Sequence, residues 1–178
     1  FEEGDILRAV EAIRLKMLDK EQLTRWLSDY PAPTNSPRRV AVIMAGNIPL
    51  VGFFDLMCVV VSGHECYVKP SSKDTHLMRF IINELKSIDS SLRIFDYSAD
   101  DDYDMVIAAM EETEERLNAA DFSDPYYTDY PPMILVKAEK AEELATLADF
   151  DGLYVAAQTG TTKLDIVNND MPGANVVA

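Results

Sequence analysis

Residues 39–82 read RVAVIMAGNIPLVGFFDLMCVVVSGHECYVKPSSKDTHLMRFII, and this stretch decides the fold. Val40 to Met44 are apolar and β-rich, and the run halts at Ala45-Gly46-Asn47. Helix-competent residues fill Pro49 to Ser62, and Gly63 ends them. Cys66-Tyr67-Val68 makes a second short strand, followed by Lys69-Pro70-Ser71-Ser72. Strand, tight turn, buried helix, strand, turn and helix together form a βαβα unit. Ligands of an open parallel sheet bind outside the carboxyl ends of its strands. Asn47 and Lys69 therefore stand where a ligand is expected.

Upstream, Ile6, Leu7, Val10, Ile13, Leu15 and Met17 recur at helical spacing, which predicts an amphipathic helix over 3–18. Asp19 is placed to cap a second helix, with Gln22 at the reciprocal position of a capping box. Pro31, Pro33 and Pro37 then exclude helix. The organisation that follows is a helical lead-in over 1–30, a Pro-rich linker over 31–37 and a Rossmann-like domain over 38–178.

Downstream, Asp74 caps a helix through Leu77, Phe80, Ile81, Ile82 and Leu85. Strands are expected at Leu92–Tyr97, Met105–Ala109, Met133–Val136, Leu153–Ala157 and Leu164–Val167. Helices are expected at Glu111–Ala119 and Lys140–Phe150. Strands alternating with helices predict an α/β fold: a mostly parallel sheet with helices on both faces.

The chain has 178 residues, 48% hydrophobic and 26% charged, ordinary proportions for a globular protein. Its net charge of −15 argues against nucleic acid or an anionic membrane as partner, since both need positive potential. From Asp96 to Asp129 the only basic residue is Arg116, so this region reads as a solvated acidic face. Asp100-Asp101-Asp102-Tyr103-Asp104 does not fit an EF-hand loop, which needs Gly at its sixth position and Glu at its twelfth. Asp165, Asn168, Asn169 and Asp170 form a turn-like cluster that needs no metal. Cys58 and Cys66 have no CxxC or zinc spacing, and His64 and His76 have no ligand partner at i+3 or i+4. No metal site is expected. Free thiols and the lack of a leader or membrane-length apolar run point to the cytoplasm. The start at Phe1 reads as an excerpt or a processed chain.

Met44-Ala45-Gly46-Asn47-Ile48-Pro49-Leu50, with Gly63-His64-Glu65-Cys66-Tyr67-Val68-Lys69-Pro70-Ser71-Ser72, resembles the aldehyde dehydrogenase superfamily. The resemblance is greatest to the acyl-CoA reductase branch that forms fatty aldehydes. It runs from Pro37 to about Leu85 and covers only the coenzyme-binding half of such an enzyme. It implies an oxidoreductase component that binds NADPH or NADH and acts on an acyl-CoA thioester. It implies that Asn47 donates its amide to a developing oxyanion, a contribution of about 3 kcal/mol. Asn47 as a helix cap is the alternative, and one residue can serve both roles. The resemblance places Lys69 on the adenosine ribose, with Ala45, Ser71 and Ser72 beside the cofactor. A surface lysine before a helix is the alternative for Lys69.

Two departures weigh against activity. The turn after Met105–Ala109 carries Met110-Glu111-Glu112 in place of glycine, and two carboxylates there repel a pyrophosphate. The stretch Tyr154 to Lys163, where the resemblance puts a catalytic cysteine, contains none, and a threonine hydroxyl is a poor nucleophile without an adjacent base. Cys58 and Cys66 read as packing residues. The second reading is therefore an inactive Rossmann-like binding or scaffold protein. Its acidic face, or Tyr126, Tyr127 and Tyr130 among Pro125, Pro131 and Pro132, would then meet a protein partner or a second copy.

Overall fold

The computed structural model describes residues 1–108, 110, 112–124, 132–159 and 161–178. The protein is an α/β protein with a Rossmann-like parallel sheet flanked by helices. It divides into two compact units, Phe1–Arg116 and Leu117–Ala178.

The first unit opens with α1 (Glu3–Lys16) and α2 (Lys20–Leu27). Asp19 caps α2 by accepting from the Gln22 amide at 2.9 Å. The Gln22 side chain does not return the bond, because its amide donates to the Leu15 carbonyl instead. The sheet follows: β1 (Arg39–Ile43), α3 (Phe53–Val61), β2 (Glu65–Lys69), α4 (Thr75–Ile88), β3 (Ile94–Asp96) and β4 (Met105–Ile107). Its spatial order is β3-β2-β1-β4 and every described pairing is parallel.

Period-two alternation decides what faces the helices. Val40, Val42, Cys66, Val68 and Ile94 point to one face. Phe53, Leu56, Met57 and Val59 of α3 and Met78 of α4 fill the core against them. Ile13, Met17, Leu23 and Trp26 bring α1 and α2 to the same core. The alternate residues, Arg39 and Tyr67, carry an aromatic layer on the other side. The Arg39 guanidinium lies 4.7 Å from the Tyr67 ring centroid and 5.3 Å from that of Tyr103. Tyr97 stacks on Tyr103 at 5.2 Å. The segment 97–104, expected as part of a solvated acidic face, thus folds onto the sheet through its tyrosines. Arg39 holds it there, donating to the Asp102 carbonyl and to Asp101. The rings bury their apolar area on the sheet, while the Asp101 and Asp104 carboxylates accept from the Arg39 guanidinium and amide.

The helix after β1 starts at Phe53 rather than Pro49, with Gly52 as its N-cap. Leu50 has φ 57°, which no right-handed helix accommodates. Gly63 ends α3 at φ +85°, where an added Cβ would lie 2.9 Å from the Thr34 carbonyl oxygen.

After α5 (Glu114–Leu117), the second unit holds 3₁₀ turns at Ala138–Lys140 and Leu147–Phe150, then β5 (Tyr154–Ala156), α6 (Thr162–Asp170) and β6 (Asn175–Val177). β5 and β6 pair in parallel, and Phe150, Val155, Val167 and Met171 form a small core. Several expectations change here. Leu164–Val167 lies in a helix, because Leu164, Val167 and Met171 recur at three- and four-residue steps. Met133–Val136 pairs with no described strand, and Leu135 is 99% exposed. Lys140–Phe150 is broken into short turns, with the Thr146 amide and hydroxyl both donating to Asp149. Ala109, Glu111, Gly160 and the residues Pro125, Tyr126, Tyr127, Tyr130 and Pro131 lie outside the described residues.

Candidate functional site

In the first unit the chain runs β1, β2, β3 in one direction across the sheet and then crosses to the far side of β1 to form β4. The carboxyl ends of β1 and β4 therefore bracket a topological switch point, where the crevice of an open α/β sheet forms. Ile43 and Lys69 are register partners, and the Met44 amide donates to the Lys69 carbonyl at 3.0 Å. The turns that leave β1 and β2 consequently start side by side.

These turns interlock. A Cβ on Gly46 would lie 2.0 Å from Ser71 Oγ, so only glycine permits the approach. The Ser71 carbonyl accepts from the Asp74 amide at 3.0 Å and from the Thr75 hydroxyl at 2.8 Å. Asp74 Oδ2 accepts from the Leu50 amide at 2.7 Å. Asp74 is the N-cap residue of α4, but its side chain makes no capping bond.

Asn47, exposed between these contacts, lines an open groove of about 420 Å³ with Ile48 and Pro49. The opposite wall is the start of α1: Phe1, Asp5, Arg8 and Ala9. Asp5 and Arg8 form an ion pair on this wall. The groove thus presents one amide, one guanidinium and one carboxylate among apolar surfaces. Such a set orients a small polar molecule by hydrogen bonds and charge, and this volume falls within the range of small-molecule sites.

Ala45, Lys69, Ser71 and Ser72 do not line the groove. Lys69 Nζ lies 5.4 Å from the Tyr97 ring centroid, at the end of β3. Ser71 Oγ accepts from the Lys73 amide at 3.3 Å, and Ser72 is exposed. Asn47 is five residues from the α3 N-cap and does not cap that helix. Arg8 and Asp5 were not singled out by sequence reasoning, because an i,i+3 pair on a surface helix carries no sign of a ligand.

Among the described residues that line the groove there is no thiol, hydroxyl or imidazole. Cys66 is fully buried, and burial, aided by Asp55, pushes its thiol up to about 12. Burial likewise raises the Cys58 thiol. His64 is occupied beside the amino ends of β1 and β2, where Nδ1 accepts from the Arg38 amide at 3.1 Å. Among the described residues no cluster of His, Cys, Asp or Glu could hold a metal ion. No described helix is long and apolar enough to cross a membrane.

In the second unit, the β5–α6 turn carries Gln158, Thr159 and Thr161, and the Thr161 hydroxyl donates to the Gln158 carbonyl at 2.7 Å.

Polar turns at parallel strand ends and an open groove are the features of an α/β protein on which the comparison with known families bears. The chain belongs to the bacterial extracellular solute-binding proteins, family 3, whose family model matches residues 83–172. The match runs from the second half of α4 to just past α6. No solved structure matches the chain.

This membership corrects the resemblance to the aldehyde dehydrogenase superfamily, and with it the reading of an acyl-CoA reductase component and an oxidoreductase. The quoted motifs lie at residues 44–72, outside the matched stretch. Their residues answer general demands of a βαβ unit. Gly46 allows two turns to approach closely. The reading of a binding protein fits the family better.

Proposed function

We propose that the protein binds a small polar solute at the carboxyl ends of its parallel strands, in the groove between the Asn47 turn and the start of α1. Membership of a solute-binding family, through residues 83–172, carries the solute-binding part of this reading, and the groove formed by residues before the matched stretch carries its location. The geometry supports it: the groove holds about 420 Å³, with Asn47 as a hydrogen-bonding amide and Arg8 as a cation. Lys69, Ser71 and Ser72 continue the same row of strand ends and would meet an anionic group reaching toward β3. A dinucleotide such as NADH or NADPH is the largest ligand this row would take. Met110 and Glu112 after β4 offer no glycine turn for its pyrophosphate.

The test is a panel of carboxylates, amines, sugars, NADH and NADPH, screened by thermal shift of the purified chain and followed by calorimetric titration. A bound solute raises the melting temperature by linkage. Asn47→Ala is expected to weaken its affinity by about tenfold, the scale of one hydrogen bond lost from a site. Saturable binding that is indifferent to both Asn47→Ala and Arg8→Ala moves the site elsewhere. No saturable heat from any panel member at millimolar concentration overturns the proposal.

A further inference from the structure

We propose that Asp74 is the positioning residue of the Asn47 turn: its carboxylate holds Leu50 in a left-handed conformation and so sets where Asn47, Ile48 and Pro49 stand in the groove. The functional part of this inference rests on the solute site proposed above.

Among the described residues, Leu50 is the only one other than glycine with positive φ, at 57°. A branched side chain disfavours this conformation, which persists only where the surroundings over-determine it. Three contacts do so. The Leu50 side chain is buried in the main core. Its carbonyl accepts from the Phe53 amide at 3.0 Å, turning the chain toward α3. Its amide donates to Asp74 Oδ2 at 2.7 Å.

Asp74 is only 4% exposed, and a carboxylate is costly to bury unless hydrogen bonds compensate. Asp74 Oδ1 has no partner. Among the described residues the Asp74 side chain makes its hydrogen bond to the strained residue beside the groove. The other end of the turn is set by the approach of Gly46 to Ser71. Asn47, Ile48 and Pro49 are strung between two anchor points, Gly46 and Leu50, and both are held by the segment that follows β2, through Ser71 and Asp74. The groove wall therefore inherits its position from that segment rather than from α3, which starts only at Phe53.

The charges around Asp74 are few. The turn from Met44 to Gly52 carries no ionisable side chain, Lys73 and His76 flank Asp74 in its own segment, and the Leu50 amide draws the carboxyl down. Burial raises it more strongly, so its proton leaves above the ordinary Asp range.

Nuclear magnetic resonance of the full chain tests this without any solute. In Asp74→Ala, exchange of the Leu50 amide is expected to accelerate by about 100-fold, as for a local opening, while Val40 and Val42 stay protected. The Asn47 side-chain amide resonances are expected to move. Asp74→Asn keeps an oxygen acceptor and should preserve both signals. Should Asp74→Ala fail to fold, the wild type decides: its Leu50 amide shift should titrate above the ordinary Asp range, and in Asp74→Asn it should not. Unchanged Leu50 exchange and Asn47 shifts in a folded Asp74→Ala overturn the proposal, as does a Leu50 amide that does not titrate in the wild type. If a solute is found, Asp74→Ala should weaken it while Asp74→Asn retains affinity. Affinity unchanged in Asp74→Ala overturns the link to the groove. Failure of the whole solute panel would sink the binding reading and leave the resonance test of Asp74 standing.

Discussion

The chain builds a parallel strand–helix–strand arrangement twice, as β1–α3–β2 and as β5–α6–β6, and the two differ in depth. In the first, both strands lie inside a four-strand sheet, and α3 places Phe53, Leu56, Met57 and Val59 in the core. In the second, two strands pair alone, α6 contributes Val167, and Tyr154 at the start of β5 is 81% exposed. The topology is the same. What differs is apolar density: RVAVI and FFDLMCVVV against YVA and TKLDIVNND. A parallel strand is stable when its faces are covered, and only the first set supplies the side chains to cover one face fully.

Like-for-like substitutions sharpen this contrast. Val42, fully buried in β1, should cost about 2–3 kcal/mol when changed to alanine, because the surrounding core cannot collapse into the space. Val155 in β5 should cost about 1 kcal/mol, since a thin core relaxes more readily. Denaturant unfolding measures both, and equal costs would erase the distinction. Glycines give a second pair. Gly63→Ala, at φ +85° with a backbone oxygen in the way, should destabilise by about 2 kcal/mol. Gly152→Ala, at φ +75° in open space, should lose only the left-handed penalty of about 1 kcal/mol.

The smallest effects concern two aspartates with opposite signs. Burial raises the Asp74 carboxyl, so the folded state holds its proton more tightly than the unfolded chain. Its contribution to stability is most favourable below the ordinary Asp value and declines as pH rises through the raised one. The Asp149 carboxyl is lowered by the Thr146 hydroxyl and amide. Its contribution is present above the ordinary value and disappears as pH falls toward the lowered one. Unfolding free energies of Asp74→Asn and Asp149→Asn, compared with wild type along an acid titration, should therefore diverge in opposite directions. A shared direction would break the assignment of one of them.

The elements with dense apolar patterns were legible in the sequence: α1, α4 and the pair β1 and β2 fall where periodicity puts them. The start of α3 was not, because Leu50 has no local reason to adopt positive φ and takes it from core packing and Asp74. Asp74 was read as a cap; its position is that of a cap, but its bond crosses to another turn. Tyr97 and Tyr103 were hidden by the carboxylates between them, although their six-residue spacing around an acidic loop is the signal of a segment folded onto a surface. β6 went unread, since Asn175-Val176-Val177 is too short to stand out without its partner β5. Of the groove, Asn47 was legible as a polar residue at a strand end. Arg8 and Asp5 were not, because nothing local shows which wall a helix will provide. The family was missed for a related reason: the matched stretch, 83–172, carries no compact motif, whereas the misleading one sits in a generic turn.

The tyrosine-lined segment 97–104 also has a kinetic consequence. Arg39 and Asp104 are paired across a separation of 65 residues, whereas Arg38 and His64 are 26 apart. Closing the longer loop from a free chain costs about 0.8 kcal/mol more in entropy. Once β1, β2 and β3 are assembled, the distance to β4 shrinks to the eight residues of this segment. Its rings can then lie down on a finished surface and carry β4 into register. Loop-closure entropy thus favours an order of assembly for this four-strand sheet in which β4 joins after β1, β2 and β3.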